Sequence, residues 1–253
     1  MNGKIAIVTG ASSGIGRATA KLFAESGNTV VAVGRNEKEL SALGQSIKSK
    51  KGAVKIHLAD VTEQSQLDRI VSETVGNFGR IDVLVNAAGI IKSNTIENTT
   101  IDEWDKMMNI NVRSLFVLMQ KCLPYLIESK GNVVNVSSVA GTRAFPGVLA
   151  YAVSKAAVDQ LTRCTAMELA SKGVRVNAVN PGVVVTNLHK RGGMEEEAYN
   201  AFLEHSKTTH PLGRPGTAAE VADLIYYLAS DKASWITGVT YEIDGGRAQT
   251  CAR

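Results

Sequence analysis

A tyrosine and a lysine four residues apart are the pair in this sequence best suited to acid–base chemistry. Tyr151 and Lys155 lie in a stretch with helical periodicity, where that spacing puts both on one helix face. A free phenol, with a pKa of about 10, exchanges protons poorly at neutral pH, but a neighbouring ammonium lowers that pKa. Ser138 ends an apolar run that predicts a buried strand. Together the three residues predict proton transfer at a substrate oxygen.

A glycine cluster near the amino terminus predicts binding of a dinucleotide. The sequence Gly10-Ala-Ser-Ser-Gly14-Ile-Gly16 follows the apolar run 4–9 and precedes a helical pattern over 17–26. Glycines at such a turn let the backbone pass close to a pyrophosphate, and the helix N-terminus offers free N–H groups. The spacing departs from Gly-x-Gly-x-x-Gly and matches Thr-Gly-x-x-x-Gly-x-Gly. Taken alone, the cluster has the alternative of an ordinary tight turn.

The end of the second predicted strand, 28–33, indicates which dinucleotide is bound. An acid at this place bonds the ribose 2′-hydroxyl of NAD(H), whereas an arginine suits the 2′-phosphate of NADP(H). Arg35 stands here and no acid does. The sequence therefore favours NADP(H), with NAD(H) as the second choice. The alternative for Arg35 is a surface arginine paired with Glu37 and Glu39.

These motifs lie in one alternating pattern of strands and helices that runs to about Asp244. Such a pattern predicts an α/β fold, a Rossmann-type doubly wound parallel sheet of about seven strands flanked by helices. We expect residues 1–253 to form a single domain that binds the cofactor mainly through residues 1–110. One long helix is predicted from Asp102 to Ser129.

The glycine turn, the sequence Asn86-Ala-Ala-Gly89 after the fourth strand, and the trio above together resemble the short-chain dehydrogenase/reductase family. The resemblance extends over essentially the whole chain. It implies an NADP(H)-dependent oxidoreductase that interconverts a ketone and a secondary alcohol. Ser138 would then bond the substrate oxygen, Tyr151 would transfer the proton, and Lys155 would lower the Tyr151 pKa and grip the nicotinamide ribose. Asn111 would hold a water that completes the proton relay.

The resemblance also implies where the cofactor lies. The glycine turn would hold the phosphates, Asp60 the adenine, the segment after the fourth strand the adenine ribose, and the segment 181–186 the nicotinamide. The residues expected to bind cofactor are Gly10, Ser12, Ser13, Gly14, Ile15, Gly16, Arg35, Asp60, Val61, Asn86, Ala88, Gly89, Tyr151, Lys155, Pro181, Gly182, Val184 and Thr186. Asp60 has the alternative of a turn residue before the next helix.

Two substrate classes within the family stay open. Apolar residues around Phe145, Val148 and Leu188 favour a carbonyl reductase for a lipophilic ketone. A 3-oxoacyl reductase acting on thioesters of a carrier protein or of CoA is the alternative, and Lys172 would meet an acidic carrier. An NAD-dependent alcohol or hydroxysteroid dehydrogenase is a further alternative. A cofactor-binding sensor without catalysis is disfavoured, because both Tyr151 and Lys155 are present.

Composition disfavours several other classes. The net charge of +4 is scattered, which disfavours nucleic-acid and membrane-surface binding, and no apolar run reaches the roughly 18 residues that span a bilayer. Cys122, Cys164 and Cys251 have neither metal-ligand spacing nor an even count for disulfides. The four histidines lack ligand spacing, and those within 187–215, namely His189, His205 and His210, are expected in solvent. We expect a cytoplasmic enzyme without a metal.

Two further expectations concern mobility and assembly. The polar segment 187–215 predicts a mobile substrate lid. The two long helical stretches carry more apolar side chains than one sheet face covers, which predicts association between chains. The side chains concerned are Tyr125, Leu126, Leu161, Cys164 and Met167. Family members usually form a homotetramer through these helices, and a dimer is the alternative.

Overall fold

The computed structural model describes residues 3–47 and 52–250, and in these ranges seven parallel strands form one sheet in the order β3-β2-β1-β4-β5-β6-β7. The order reverses beside β1, which creates the crevice where doubly wound folds bind ligands. The predicted Rossmann-type fold is confirmed. The strands are β1 (Ile5–Thr9), β2 (Thr29–Gly34), β3 (Ala53–Leu58), β4 (Val83–Asn86), β5 (Asn132–Val136), β6 (Arg175–Pro181) and β7 (Thr240–Ile243).

Helices cover both faces of the sheet. Side chains alternate along a strand. In β1, Ile7 therefore joins a core with side chains from the helices 64–78, 114–128 and 149–169. Ala6 and Val8 join a second core, on the other face, with side chains from the helices 14–25 and 218–229. Both faces of the sheet are therefore covered by helices and shielded from water, as is usual for parallel sheets. The helices in the described ranges are α1 (Gly14–Glu25), α2 (Glu37–Ser46), α3 (Gln64–Phe78), α4 (Ile101–Met108), α5 (Ser114–Glu128), α6 (Leu149–Leu169), α7 (Leu188–Arg191), α8 (Glu196–Thr209) and α9 (Ala218–Ala229).

The long helix predicted over 102–129 is interrupted. Its first part, α4, begins with a capping box formed by Thr100 and Glu103, and the stretch Asn109–Arg113 between α4 and α5 is a π-helix. Asn111, in the middle of this stretch, turns its amide toward the backbone of Ile90. Single π turns inside helices commonly occur at functional sites. Apolar periodicity alone does not reveal such a turn.

The predicted apolar stripe on the long helices is partly wrong. Leu126 is buried at 1% exposure, because it continues the inward face of α5 at the three- and four-residue spacing of Leu118 and Cys122. Tyr125 and Leu161 pack against the same core. Cys164 and Met167 are exposed as predicted, and the exposed large apolar side chains of α5 and α6 are Phe116, Val153 and Met167.

Three features bear on membranes, metals and redox state, namely apolar helices, clusters of metal ligands and cysteines. None of the helices in 3–47 and 52–250 is long and apolar enough to cross a membrane. The same residues include no group of three or more His, Cys, Asp or Glu that could hold a metal ion. Cys122 is a buried free thiol and Cys164 an exposed one. Cys251 lies outside the described residues.

Candidate active site

The four predicted catalytic side chains meet beyond the carboxyl ends of β4 and β5. Ser138 follows β5 and shares a side-chain hydrogen bond with Tyr151, which α6 carries. Lys155 Nζ lies 5.7 Å from the centre of the Tyr151 ring and donates to the Val136 carbonyl at 2.8 Å. A Cβ built on Gly89 would lie 3.6 Å from Lys155 Nζ and 3.3 Å from Asn111 Oδ1. The fold thus brings together three residues of one segment and one from a distant helix.

Asn111 is fixed by a full set of partners. Its Oδ1 accepts from the Ile90 N–H at 2.9 Å, and its Nδ2 lies within 3.0 Å of the Ile90 carbonyl and of Ser154 Oγ. Ser154 belongs to α6, one residue before Lys155. Asn111 therefore connects the π-helical stretch, the segment after β4 and α6. These hydrogen bonds also satisfy its side-chain amide, as a buried amide requires.

The pKa of Tyr151 shifts opposite to the predicted direction. Burial raises the pKa of the phenol, because the charged form is poorly solvated, and the hydrogen bond with Ser138 opposes this rise only in part. The sequence predicted a lowered value through Lys155. Burial also lowers the pKa of the Lys155 ammonium to about 8, against the attraction of Asp159, so Lys155 is neutral at the higher pH where the phenol ionises and cannot lower its pKa.

Three buried polar residues to which the sequence assigned no role position this cluster, namely Ser137, Asp159 and Asn180. Asn180, near the end of β6, donates to the Ser138 carbonyl at 3.1 Å and to Asp159 Oδ2 at 2.9 Å. Ser137 Oγ donates to the Lys155 carbonyl at 3.1 Å. These bonds lock the end of β5 onto α6. Asp159 could have been found from its spacing, since it lies four residues after Lys155 on the same helix face.

The glycine turn leaves no room for larger side chains. Gly10 has a φ of +66°, and a Cβ on it would lie 2.6 Å from the Ala87 carbonyl oxygen. A Cβ on Gly16 would lie 2.5 Å from the Gly10 carbonyl oxygen, so α1 and the turn are in backbone contact. Thr9 Oγ1 accepts from the Ala87 and Ala88 N–H groups at 3.1 Å each, which joins the segment after β4 to the turn.

The amino end of α1 is suited to an anion. The helix begins at Gly14, so Gly14, Ile15 and Gly16 form its first turn. Ser13 is the N-cap but makes no side-chain capping bond, and the first turn contains no acidic residue. Free N–H groups and the positive end of the helix dipole are what a pyrophosphate needs. The residues present therefore fit the phosphates of a dinucleotide.

On the adenine side, Arg35 and Asp60 form a pair with each other. Arg35 Nη1 lies 3.3 Å from Asp60 Oδ2, and the arginine side chain is 70% exposed. Asp60 Oδ1 also accepts from the N–H and hydroxyl of Thr62, so the turn alternative for this residue is part of its structure. Glu39, the expected partner of a surface Arg35, pairs instead with Arg17.

The other predicted ribose and adenine contacts differ in accessibility. Asn86 is buried and its Nδ2 donates to Asn135 Oδ1 at 2.9 Å, so its side chain links β4 to β5. Ala88 and Gly89 are half-buried in the crevice, and Val61 packs against the core with part of its surface free. The backbone after Asn86, more than its side chain, is thus available to a ligand. Ser12 lies against the end of β2, since a Cβ on Gly34 would be 3.3 Å from Ser12 Oγ.

The segment from Pro181 to Thr186 is held by the segment 187–215, which the sequence predicts to be a lid. The Val183 N–H donates to His210 Nε2 at 3.1 Å, and Tyr199 of α8 bonds Thr186 twice, donating to its carbonyl at 2.8 Å and accepting from its N–H at 3.2 Å. His210 is buried, and burial lowers its pKa. The expectation of solvent-exposed lid histidines is wrong for His210, because the ring bridges two segments.

Comparison with known proteins agrees with this geometry. A family model described as enoyl-(acyl carrier protein) reductase matches residues 10–248. The chain is 40% identical over 247 residues to the 3-oxoacyl-[acyl-carrier-protein] reductase of Thermotoga maritima, covering 97% of this chain and 98% of that protein. It is 37% identical over 245 residues to the reductase of the same name from Staphylococcus aureus strain Mu50, covering 96% and 97%. A short-chain dehydrogenase/reductase of unknown function from Caenorhabditis elegans, solved with cofactor, superposes with a TM-score of 0.94 at 38% identity, covering 99% of this chain and 97% of that one.

This chain belongs to the short-chain dehydrogenase/reductase family. The predicted family is thereby confirmed, and with it the enzyme class: the protein is an NAD(P)-dependent oxidoreductase that acts on CH–OH and carbonyl groups. The expected cofactor, NADP(H) ahead of NAD(H), is confirmed as well. The ligand-free aldohexose dehydrogenase of Thermoplasma acidophilum has the same fold, with a TM-score of 0.88 at 31% identity over 100% of this chain and 96% of that one. Similar family members thus carry the names of different substrates.

Proposed function

We propose that this dehydrogenase/reductase reduces the 3-oxo group of an acyl thioester to a 3-hydroxyl group with NADPH. The observation that carries the proposal is the full-length similarity to 3-oxoacyl-[acyl-carrier-protein] reductases, at 40% identity for the Thermotoga maritima protein. The lipophilic ketone favoured by the sequence analysis is the weaker choice. Both substrates present a ketone to the same cluster, and they differ in what lies beyond the carbonyl.

The side chains around Tyr151 suit reduction of a ketone. The cofactor supplies the hydride. Ser138 and Tyr151 share a hydrogen bond and would both meet the substrate oxygen, where they stabilise the negative charge that develops. Burial keeps the phenol protonated at neutral pH, so Tyr151 would donate its proton to that oxygen. Lys155 would hold the cofactor ribose, and Asn111 would complete the relay that returns a proton to Tyr151.

An apolar surface next to Tyr151 suits an acyl chain. Tyr151 belongs to a small apolar cluster separate from the two main cores, and its partly buried members line one side of the site. These are Ile90, Ile91, Trp104, Phe145, Val148 and Ala152. An acyl chain laid against them would be removed from water while its 3-oxo group meets the phenol.

The thioester carrier would be recognised at the far ends of α5 and α6. Lys172 is exposed after α6, and a Cβ on Gly173 would lie 3.4 Å from Lys130 Cγ, so the two lysines are neighbours. Ser129 is not available, since its hydroxyl donates to the Ile81 carbonyl at 2.7 Å. Two exposed lysines on neighbouring segments suit an acidic carrier protein.

An activity comparison tests the proposal. NADPH oxidation is followed with 3-oxoacyl carrier protein, with the matching 3-oxoacyl-CoA, and with a simple ketone of the same chain length. We expect kcat/KM for a thioester to exceed that for the ketone by on the order of 10²-fold, because remote binding energy assists the reacting centre. Lys172→Glu should impair the carrier-protein substrate and spare the CoA substrate. A ketone that reacts as fast as either thioester would contradict the proposal and support a carbonyl reductase.

We also propose the assembly and location that family resemblance suggests. Exposed Phe116, Val153 and Met167 give α5 and α6 apolar outer faces, which supports a homotetramer built through these helices. The free thiols Cys122 and Cys164 support a reducing, cytoplasmic location.

A further inference from the structure

The lid places an arginine at the amino end of the helix that follows the glycine turn. Arg191 ends α7, and its Nη1 donates to Ser13 Oγ at 2.9 Å, although the two residues are 178 positions apart. Thr186 approaches the same turn, since a Cβ on Gly14 would lie 3.2 Å from Thr186 Cγ2. The β6 loop and α7 therefore close over the turn as one unit.

The surroundings of the Arg191 guanidinium suit an anion. Arg191 takes part in none of the ion pairs between described residues, whereas its neighbour Lys190 pairs with Glu196 at 2.6 Å. The first turn of α1, next to it, has neither an acidic residue nor a side-chain cap. A helix N-terminus carries roughly half a positive charge. Arg191 is exposed, so water screens its repulsion from this helix end, but an anion placed between the two is attracted by both.

We propose that Arg191 binds the pyrophosphate of the nicotinamide cofactor and thereby couples closure of the lid to cofactor binding. Ser13 and Gly14 begin α1, where this fold places the pyrophosphate, whereas Arg35 stands at the end of β2, on the ribose side. A guanidinium meets phosphate oxygens with two parallel charge-assisted hydrogen bonds. The inference depends on the cofactor and not on the acyl substrate proposed above.

Cofactor binding in the absence of any carbonyl substrate tests this role. Dissociation constants for NADPH and NADH are measured by fluorescence titration of the wild type and of Arg191→Ala. We expect both constants to rise by about tenfold, a loss of ~1.4 kcal/mol, and by the same factor for the two cofactors, since both contain the pyrophosphate. High salt should shrink the difference between variant and wild type.

Two further variants separate charge from hydrogen bonding. Arg191→Gln can still donate to Ser13 but lacks the charge, and it should bind both cofactors as weakly as Arg191→Ala. Lys207→Ala removes the same charge from an exposed lid residue that pairs with Glu204, and it should bind as the wild type does. Hydrogen exchange over 188–209 should slow on adding NADPH in the wild type, and less in Arg191→Ala.

Three results would overturn the assignment. Unchanged dissociation constants in Arg191→Ala would show that the arginine only bonds Ser13. Full affinity in Arg191→Gln would show that the hydrogen bond matters and the charge does not. Weakened NADPH with unchanged NADH would place the guanidinium on the 2′-phosphate. Because no acyl substrate is present, none of these results depends on whether the chain reduces thioesters.

Discussion

At the scale of single residues, the phenol of Tyr151 is held in its protonated form. Burial raises its pKa, and the hydrogen bond with Ser138 offsets only part of the rise. A proton donor must be protonated when the substrate oxygen gains charge, so this environment suits Tyr151 to the role of proton donor in the reduction of a carbonyl.

Replacing Tyr151 with Phe should remove the proton donor and leave the fold intact. We expect kcat to fall by a factor on the order of 10² or more, with nearly unchanged NADPH affinity. Steady-state kinetics and fluorescence titration measure the two quantities. Tyr227→Phe, at a ring that is 41% exposed on α9, is the matched control and should behave as wild type. Unchanged turnover in Tyr151→Phe would end the mechanism proposed for this site.

The buried Lys155 should make stability depend on pH. Its pKa is lowered to about 8 in the folded protein, while the unfolded chain keeps a value of about 10.4. Between these values the unfolded state binds more protons, so the contribution of Lys155 to the free energy of unfolding rises with pH. Below about pH 8 the buried ammonium costs stability in full.

Lys155→Met should therefore be more stable than the wild type near pH 7, by on the order of a few kcal/mol, and lose this advantage between about pH 8 and pH 10. Urea unfolding of both proteins at several pH values gives the difference between their free energies of unfolding. The contributions of all other titrating groups are the same in both proteins and cancel in this difference. A difference that stays constant with pH would show that burial does not lower the pKa of the Lys155 ammonium. The variant should also lack activity.

Arg35 should decide the choice of cofactor. We expect the wild type to favour NADPH over NADH by about tenfold or more in kcat/KM, since each bond to a 2′-phosphate is worth roughly 1.5 to 3 kcal/mol. Arg35→Ala should weaken NADPH and barely change NADH, in contrast to the Arg191 variants. Lys232→Ala, which removes an exposed charge elsewhere, is the control. Faster wild-type turnover with NADH at equal, sub-saturating concentrations would show that Arg35 does not select the cofactor and is only a surface residue paired with Asp60.

At the scale of elements, the predicted lid supports the segment 181–186, which is expected to hold the nicotinamide, through α8. α8 reaches the β6 loop at both of its ends, through Tyr199 on Thr186 and through His210 on Val183. Burial lowers the pKa of His210, so its ring stays neutral at pH 7 and Nε2 can accept from the Val183 N–H. The segment predicted as a mobile lid is thus anchored where it meets the loop.

Tyr199→Phe should loosen this anchor. The variant loses both hydrogen bonds to Thr186, and we expect the free energy of unfolding to fall by roughly 1 to 3 kcal/mol, since two half-buried backbone groups lose their partner. The KM for cofactor should rise several-fold, because the loop is no longer fixed. Urea unfolding and steady-state kinetics check the two effects, with Tyr227→Phe again as the matched substitution. Wild-type values for both would mean that the loop holds its shape without α8.

At the scale of the whole molecule, the outer faces of α5 and α6 stay apolar after the core is filled. Met167 is 65% exposed, and Phe116 and Val153 are 41% and 38% exposed. Apolar surface left on adjacent long helices favours association of identical chains.

Met167→Glu should shift the protein toward smaller species. Sedimentation at micromolar concentration should show the wild type as larger than a monomer and the variant as smaller than the wild type, because a carboxylate resists burial. Ile56→Glu, which places the same charge on the edge strand β3, should leave the size unchanged. A wild type that sediments as a monomer would show that these faces are ordinary surface.

The sequence by itself determined the family, the sheet and the residues brought together at its edge. The spacing of Tyr151 and Lys155 is local, and the carboxyl ends of parallel strands necessarily share one edge, so Ser138 and the glycine turn could be placed without coordinates. The alternating pattern predicted a doubly wound parallel sheet of about seven strands, and the order of the strands comes from the structure.

Only the tertiary structure decided how these groups are tuned. The raised pKa of Tyr151, the pairing of Arg35 with Asp60, the burial of Leu126 and the contact of Arg191 with Ser13 each depend on which distant segments pack together. Solvation and charge act through space, and positions 178 apart in the chain can lie 2.9 Å apart in the fold. Sequence spacing contains no measure of that distance.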